Sequence, residues 1–281
     1  DRLALLRKKM QEEGIDFYMM PTADFHNSEY VNDYFKVREY FCNFTGSNGT
    51  LVVWKDGAGL WTDGRYFIQA EAELEGTTVE LFRMLQEGVP TIEAYLAETL
   101  PENGILGFDG RVVNEMLGEA LEKTLPERFL SYRSDLIGEI WSDRPALSAE
   151  PVWILDAKYT GESAAERLAK VREKMKENGA EVHILTALDD IAWMLNIRGN
   201  DIEFFPLVLS YAIIKMDKVD LYINEAKLSD EIKADFAKDG IVLHPYNDIY
   251  EDIKNVCKDE VLLIDPGKLN YALYNNIPEG V

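Results

Sequence analysis

Two segments of the chain place apolar residues on one helical face at the same spacing. They read RLALLRKKMQEEG (2–14) and RLAKVREKMKENG (167–179), related by a constant shift of 165 residues. Apolar side chains recur at i, i+3 and i+7 in both copies, the spacing of an amphipathic helix. These positions are Leu3, Leu6 and Met10 in the first copy and Leu168, Val171 and Met175 in the second. Gly14 and Gly179 then stand where a helix C-terminus favours a left-handed residue. The repeat predicts a duplicated domain.

Short apolar segments follow both predicted helices and recur along the chain. Strands are predicted at 15–20, 77–82 and 104–109 in the first half and at 181–185, 241–245 and 260–265 in the second. Helical patterns at 91–100 and 114–125 alternate with the strands of the first half. Asp56-Gly57 predicts a hairpin turn, so the first sheet is expected to be mixed. The predicted fold class is α/β, with two tandem duplicated domains, each a mixed sheet covered by helices.

The stretch between the two copies has a different character. Residues 142–163 contain Pro145 and Pro151 and show no sustained periodicity, which is typical of a connecting segment. At 281 residues the chain is long enough for two domains that each bury a core. We therefore predict domains at 1–142 and 143–281.

Charge and composition limit the classes of partner. The chain has 29 Lys and Arg against 51 Asp and Glu, a formal net charge of −22. A nucleic-acid-binding or anionic-membrane-binding surface is not expected, whereas a basic partner protein is compatible with this charge. No stretch approaches the roughly 18–20 apolar residues of a membrane span. Cys42 and Cys257 do not make a disulfide framework, which predicts a reducing compartment and a cytoplasmic location.

The sequence shows no complete set of catalytic residues in a recognised pattern. The three histidines, His26, His183 and His244, occur without an H-E-x-x-H pattern, and C-x-x-C is absent. GSNG (46–49) lacks the spacing of a serine nucleophile and DPGK (265–268) that of a phosphate loop, so both are interpreted as turns. Asp189 and Asp190 are expected to cap a helix. No self-sufficient active site is predicted, and no metal site.

One polar constellation in the first half remains. GLWTDGRYF (59–67) puts Arg65 at the start of a predicted helix, where a cation is unfavourable unless an anion meets it. The anion is either Asp63 or a bound ligand, for which the planar guanidinium is a suitable carboxylate or phosphate clamp. Further polar and aromatic residues are expected near the strand ends, where open α/β sheets place ligands. They are His26, Glu29, Tyr30 and Arg38.

Several of these stretches together resemble a known family. PTADFHNSEYV (21–31), FTGSNGT (44–50), WTDGRYFIQA (61–70) and DDIAWMLNIRGNDIEFFPLVLSYAII (189–214) are similar, in order and spacing, to the two N-terminal domains of three-domain Xaa-Pro aminopeptidases of the creatinase and prolidase family. The resemblance covers nearly the whole chain. It implies two creatinase N-terminal-like domains with a ribonuclease-H-like fold.

The resemblance also implies a function. Such enzymes remove an N-terminal residue that precedes proline, using two divalent metals, usually manganese, in a third, "pita-bread" domain that is absent from this chain. The N-terminal domains would shape substrate access and dimerisation, and the fragment alone would be inactive. Substrate-contacting residues implied by the matching motifs are Arg65, Asp63, His26, Arg198 and Asp201. Arg198 and Asp201 have the alternative of pairing with one another.

One departure and two rival hypotheses accompany this resemblance. Relatives often read D-V-P-H-N-P after the R-G motif, whereas this chain reads DIEFFPLV (201–208), so only Asp201 and Pro206 correspond. The acidic charge also fits a non-catalytic binding module akin to the peptidase-like region of a histone chaperone. A regulatory or dimerising module that is complete in itself is the third possibility.

Overall fold

The chain is divided into two compact units. The computed structural model describes residues 2–133, 135–256 and 258–281, so Cys257 lies outside the described residues. The first unit runs to Phe25 and continues over Asp33–Ala146, while the second comprises His26–Asn32 and Leu147–Val281. The predicted domains, 1–142 and 143–281, differ from this division over residues 26–32 and 143–146.

The first unit is a six-stranded mixed sheet with helices. Its strands are β1 (Phe17–Pro21), β2 (Thr50–Trp54), β3 (Gly57–Thr62), β4 (Val79–Arg83), β5 (Ile105–Gly107) and β6 (Phe129–Ser131). Its helices are α1 (Arg2–Glu13), α2 (Val37–Cys42), α3 (Phe67–Glu73), α4 (Ile92–Thr99), α5 (Glu115–Thr124) and α6 (Leu136–Ile140), with a 3-10 helix at Asp33–Phe35. The strand order is β4-β3-β2-β1-β5-β6, and β2 is antiparallel to both of its neighbours. The predicted hairpin is confirmed, because Trp54 pairs with Gly57 across the turn.

The second unit contains a five-stranded sheet and a two-stranded one. Its strands are β7 (Trp153–Ile154), β8 (Val182–Leu185), β9 (Ile197–Arg198), β10 (Ser210–Ile214), β11 (Val219–Ile223), β12 (Ile241–His244) and β13 (Leu262–Leu263). Its helices are α7 (Ala157–Thr160), α8 (Ala164–Glu177), α9 (Leu188–Leu195), α10 (Asp230–Lys238), α11 (Ile249–Asp252) and α12 (Tyr271–Tyr274). Among its described residues, 3-10 helices lie at Glu225–Lys227, Tyr246–Asp248 and Ile253–Asn255.

The two sheets repeat one topology. The order β12-β11-β10-β8-β13 reproduces β4-β3-β2-β1-β5 of the first unit, strand for strand. The directions agree as well: the central strand is antiparallel to both neighbours, and the outer pairs are parallel. The predicted α/β class with tandem duplicated mixed sheets is therefore confirmed.

The repeated helices pack through the predicted faces. Leu3, Leu6 and Met10 of α1 are buried in the core of the first unit. In α8 the equivalents Leu168 and Met175 are buried, and Val171 packs partly buried against the same core. Each fully buried apolar side chain of this size contributes about 1.5–3 kcal/mol relative to exposure. The repeated sequence pattern therefore builds two equivalent cores.

The segment predicted to connect the domains contains the unit boundary between Ala146 and Leu147, and it also carries regular structure, because β7 pairs with β9 and α7 begins at an Asp156 cap. One local expectation was wrong. Asp189 and Asp190 do not cap α9, since the helix begins at Leu188 and Ala187 occupies the cap position without a side-chain hydrogen bond. The two aspartates lie inside the first turn, where a negative charge still favours the helix dipole.

Cys42, at the end of α2, is buried as a free thiol. Burial raises the pKa of this thiol to about 11, which keeps it protonated near neutral pH. Among the described residues, no helix is both long and apolar enough to cross a membrane.

Candidate functional site

Asp63 and Arg65 form a fork-to-fork ion pair in the first unit, between β3 and α3. Arg65 Nε lies 2.9 Å from Asp63 Oδ1, and Arg65 Nη2 lies 2.9 Å from Asp63 Oδ2. The Arg65 backbone N–H also donates to Asp63 Oδ1 at 3.1 Å, and Asn48 Nδ2 donates to Oδ2 at 2.8 Å. The anion that the sequence demanded is thus supplied locally by Asp63.

The pair lies at the surface and keeps a strongly acidic carboxyl group. The side chain of Arg65 is 64% exposed and that of Asp63 is 24% exposed. Hydrogen bonds from the Arg65 guanidinium, and then from the Asn48 amide, hold the pKa of Asp63 well below its ordinary value. Such a surface pair contributes at most about 1 kcal/mol to stability.

Arg38 supports the loop that carries Asn48. It is buried beneath residues 44–49 and donates to the backbone carbonyl groups of Phe44 and Gly46. Its guanidinium also lies 4.7 Å from the centre of the Phe44 ring. Burial lowers the pKa of Arg38 from its usual value. The guanidinium nevertheless holds the loop of residues 44–49 in place, because it donates to two carbonyl groups of that loop. The sequence placed Arg38 in the polar constellation without revealing this scaffolding contact.

His26 belongs to the second unit, together with residues up to Asn32. Its ring is fully buried: Nδ1 lies 2.9 Å from the Thr186 carbonyl oxygen and Nε2 lies 2.5 Å from the Tyr246 hydroxyl. A neutral imidazole that donates from Nδ1 to Thr186 and accepts from Tyr246 satisfies both bonds. The ring also packs against Tyr211 at a centroid distance of 4.3 Å.

From the sequence, His26, Arg65 and Asp63 are predicted to contact substrate together. His26 is counted in the second unit, whereas Arg65 and Asp63 are counted in the first. Their shared role in substrate contact therefore stays a prediction.

Asp201 and Lys227 form a buried ion pair in the second unit. Lys227 Nζ lies 2.6 Å from Asp201 Oδ2, and both side chains are almost fully inaccessible. Asp201 Oδ2 also accepts the backbone N–H of Leu209 at 2.7 Å, and the Asp201 carbonyl accepts Asn32 Nδ2 at 2.7 Å. The bond to Leu209 holds the loop that follows β9 against the residues that precede β10.

Arg198 does not pair with Asp201. Its Nη1 donates to the carbonyl groups of Ala192 and Ile197, each at 2.8 Å, so it closes the end of α9. Cations near a helix C-terminus are favourable because they meet the negative end of the dipole. The alternative of a mutual Arg198–Asp201 pair was therefore wrong, since Lys227 occupies that position.

The other two histidines have structural partners in the second unit. His183 Nδ1 lies 2.9 Å from the Leu263 carbonyl oxygen, across the β8–β13 pair. His244 Nε2 lies 2.8 Å from Asp220 Oδ1, and its ring stacks on Tyr222. Within the described ranges 2–133, 135–256 and 258–281, no group of three or more His, Cys, Asp or Glu side chains is arranged to hold a metal ion.

Sequence reasoning missed Lys227 and Tyr246. A lysine in a polar stretch normally predicts an exposed side chain, so only the contact with Asp201 identifies it. Tyr246 follows Pro245 in a segment without periodicity, and its contact with His26 spans 220 positions of the chain. No local pattern encodes such a pair.

Comparison with known proteins agrees with the duplicated architecture. Residues 2–139 and residues 143–281 each match a model of the Creatinase/Prolidase N-terminal domain. Aminopeptidase P2 of Arabidopsis thaliana is 36% identical over 97% of this chain and 39% of its own length. Xaa-Pro aminopeptidase 1 of Dictyostelium discoideum is 35% identical over 96% of this chain and 44% of its own length. The chain spans about two fifths of these relatives.

A solved structure is similar over nearly the entire chain. The X-prolyl aminopeptidase from Caenorhabditis elegans, described as a cytosolic enzyme with a di-nuclear active site, gives a TM-score of 0.93 at 33% identity. The match covers 99% of this chain and 48% of that protein. Since models of the same domain type match both halves, the chain belongs to the creatinase/prolidase family and carries two tandem N-terminal domains of that family.

Proposed function

We propose that this chain is the non-catalytic N-terminal region of a metal-dependent Xaa-Pro aminopeptidase. The full-length protein would hydrolyse the peptide bond between an N-terminal residue and a following proline. The observation that carries the proposal is the similarity of both tandem domains together, at a TM-score of 0.93, to an X-prolyl aminopeptidase. Most folds host many functions, but a match across two domains in one order is more specific than a match in fold class.

The proposal assigns the metal centre to a further domain of the full-length protein. The described residues offer no metal-binding group of three or more ligands, and the C. elegans relative is said to have a di-nuclear site. Two divalent ions, manganese by family resemblance, would supply a nucleophilic hydroxide and Lewis acidity when bound.

Within this proposal, the two domains shape substrate access and contribute to a cytoplasmic homodimer. Arg65 is the proposed contact for a peptide carboxylate, because its side chain is exposed and its ion pair with Asp63 is a weak surface pair. His26, Arg198 and Asp201 would act on substrate by fixing the positions of their loops, since each bonds to groups inside its own unit.

An activity comparison tests the proposal. Residues 1–281 and the full-length protein are assayed with an Xaa-Pro tripeptide and manganese at equal concentrations. We expect turnover by the full-length protein and none by residues 1–281. Hydrolysis by residues 1–281 would overturn the assignment of the metal centre to another domain, and a full-length protein inactive on Xaa-Pro peptides would overturn the assigned activity.

A non-peptidase role as an acidic binding module receives no specific support. The relatives that match across both domains are aminopeptidases. A net charge of −22 by itself explains solubility as readily as it explains binding to a basic partner.

A further inference from the structure

Asparagine followed by glycine occurs three times in the chain, at Asn48-Gly49, Asn103-Gly104 and Asn178-Gly179. All three asparagines are exposed. This dipeptide is prone to spontaneous deamidation, because glycine has no Cβ to hinder attack of its backbone nitrogen on the preceding carboxamide. The three sites share one chemistry, so their local hydrogen bonds decide how readily each one reacts.

The reacting nitrogen is hydrogen-bonded at two of the three sites. Gly104 N–H donates to the Pro101 carbonyl at 2.9 Å, and Gly179 N–H donates to the Lys176 carbonyl at 3.0 Å. Gly49 is buried, and within the described part of the chain its N–H has no acceptor, an uncommon state for a buried backbone group. Removing the proton from Gly49 therefore breaks no hydrogen bond, whereas it forfeits about 1 kcal/mol at the other two sites.

Two groups stabilise the negative charge that deprotonation of Gly49 creates. That charge is shared with the carbonyl oxygen of Asn48, to which the buried Thr62 hydroxyl donates at 2.6 Å. The guanidinium of Arg38 is also close, since its Nη1 lies 3.4 Å from the Gly49 carbonyl oxygen. Hydrogen-bond donors and positive charges that meet a developing oxyanion lower its energy. Among the described residues, neither of the other two Asn-Gly peptides has a hydroxyl donor on its carbonyl oxygen.

The Asp63 carboxylate holds the Asn48 carboxamide by accepting from Nδ2 at 2.8 Å. This bond is made by the nitrogen that leaves in deamidation, so it persists while the Gly49 nitrogen attacks. The carbon that is attacked, Asn48 Cγ, is not engaged by it. The contact with Asp63 is therefore compatible with the reaction.

We propose that Asn48 is a site of spontaneous deamidation. After a water-derived base takes the Gly49 proton, the Gly49 nitrogen forms a bond to Asn48 Cγ. The Cγ–Nδ2 bond then breaks, and the nitrogen takes a proton from water and leaves as ammonia. Water adds to the resulting cyclic imide and opens it to aspartate or isoaspartate at position 48. The net change replaces a neutral amide by a carboxylate and needs no reactant besides water.

The product places a second carboxylate beside Asp63. The amide of Asn48 is one of the donors that hold the pKa of Asp63 low, after the guanidinium of Arg65. Deamidation removes this donor and adds repulsion between like charges, so it weakens the ion pair of Asp63 and Arg65. The reaction itself does not depend on the proposed peptidase function, because it involves only groups of this chain and water.

Peptide mass spectrometry of folded residues 1–281, sampled during incubation at neutral pH, tests the proposal. We expect Asn48 to convert at least about fivefold faster than Asn103 and Asn178, the rate ratio that corresponds to about 1 kcal/mol. The rate at Asn48 should rise with pH, because loss of the Gly49 proton precedes the attack. Conversion at Asn48 that is no faster than at both other asparagines, or that does not rise with pH, would overturn the proposal.

A variant and a matched control test the role of the hydroxyl donor. Thr62→Val is expected to slow conversion at Asn48 by about threefold or more and to leave the other two pairs unchanged. Thr77→Val is the control, because Thr77 Oγ1 makes a similar bond, of 2.7 Å, to the Leu74 carbonyl in the same unit. An unchanged rate in Thr62→Val, or equal slowing in Thr77→Val, would refute the assigned role of Thr62. Thermal unfolding checks that both variants fold, and the comparison of the three wild-type sites does not depend on them.

Discussion

Arg65 illustrates how a charged residue at an unfavourable position is compensated by a local partner. It precedes α3, whose positive end disfavours a cation, and the Asp63 carboxylate compensates that cost. Both groups remain in contact with solvent, where an ion pair contributes little to stability. The unusual residue was visible in the sequence, whereas the identity of its partner needed the geometry.

For the proposed substrate contact, we predict that Arg65→Ala in the full-length protein raises KM severalfold while Tm changes by a few degrees at most. The exposed pair contributes at most about 1 kcal/mol, so its loss cannot unfold the domain. Steady-state kinetics and thermal unfolding measure the two effects. Arg83→Ala is the control, because Arg83 forms a comparably exposed pair with Glu71. A large fall in Tm with unchanged kinetics would favour a purely structural role for Arg65.

A second prediction concerns pH. Arg65 lowers the pKa of Asp63, so the ionised carboxylate stabilises the fold above the unfolded pKa of about 3.9 and loses that effect as pH falls below it. Asp63→Asn should therefore lower the free energy of unfolding by up to about 1 kcal/mol at pH 7, with the difference shrinking below about pH 4. Urea denaturation of both proteins across this range measures it. A difference that stays constant down to about pH 2 would contradict the assigned pair.

A third prediction concerns the buried pair of Asp201 and Lys227. Lys227→Met leaves the Asp201 charge without a counterion and should cost about 3–5 kcal/mol of unfolding free energy. The double variant Lys227→Met/Asp201→Asn should recover part of that loss, because no charge is then buried. Denaturant unfolding of the wild type, Lys227→Met, Asp201→Asn and the double variant gives the coupling energy, and simple additivity would show that the two residues do not interact.

At the level of elements, the duplication explains why parts of the fold could be predicted closely. The apolar spacing of α1 and α8 follows from the helical period, and the glycine after each helix takes a left-handed conformation, with φ of +69° at Gly14 and +65° at Gly179. Strand ends were less well predicted: β13 spans only Leu262–Leu263 of the six residues expected. Pairing with β8 decides that length, and pairing is not a local property.

The equivalent glycines give a prediction at this scale. A Cβ at Gly14 or Gly179 would meet nothing within 4 Å, so the left-handed backbone alone opposes substitution. Gly14→Ala and Gly179→Ala should each lower the free energy of unfolding by about 1–2 kcal/mol. Gly64→Ala, which has neither a left-handed φ nor a close contact, is the control and should have a small effect. Markedly different losses at the two helix ends would contradict their equivalence.

For the whole molecule, the assignment of residues 26–32 is the main departure from a linear division. This segment is separated from the rest of its unit by more than a hundred residues, yet His26, Asn27 and Asn32 all bond to groups in the second unit. Cutting the chain only at the linker would therefore separate residues 26–32 from the second unit and remove the hydrogen bonds that they make to it.

His26→Ala tests the importance of this inserted segment. The substitution removes a fully buried ring and leaves the Thr186 carbonyl and the Tyr246 hydroxyl without that partner. We expect a loss of about 2–4 kcal/mol in the unfolding of the second unit. His183→Ala, which removes one part-buried bond, should cost less. Hydrogen exchange in β10 and α9 reports on that unit, and unchanged protection there would show that the segment does not support it.

The sequence by itself determined the α/β class, the duplication and the helix faces, because helical and strand periodicities are local patterns and they occur in both halves of the chain. Its resemblance to the creatinase and prolidase family also pointed to Arg65, Asp63, His26, Arg198 and Asp201 as candidate substrate contacts. Only the tertiary structure decided their partners: Asp63 for Arg65, Tyr246 for His26 and Lys227 for Asp201. Contacts across long sequence separations depend on how strands are ordered and where loops pack, and no local pattern of residues specifies them.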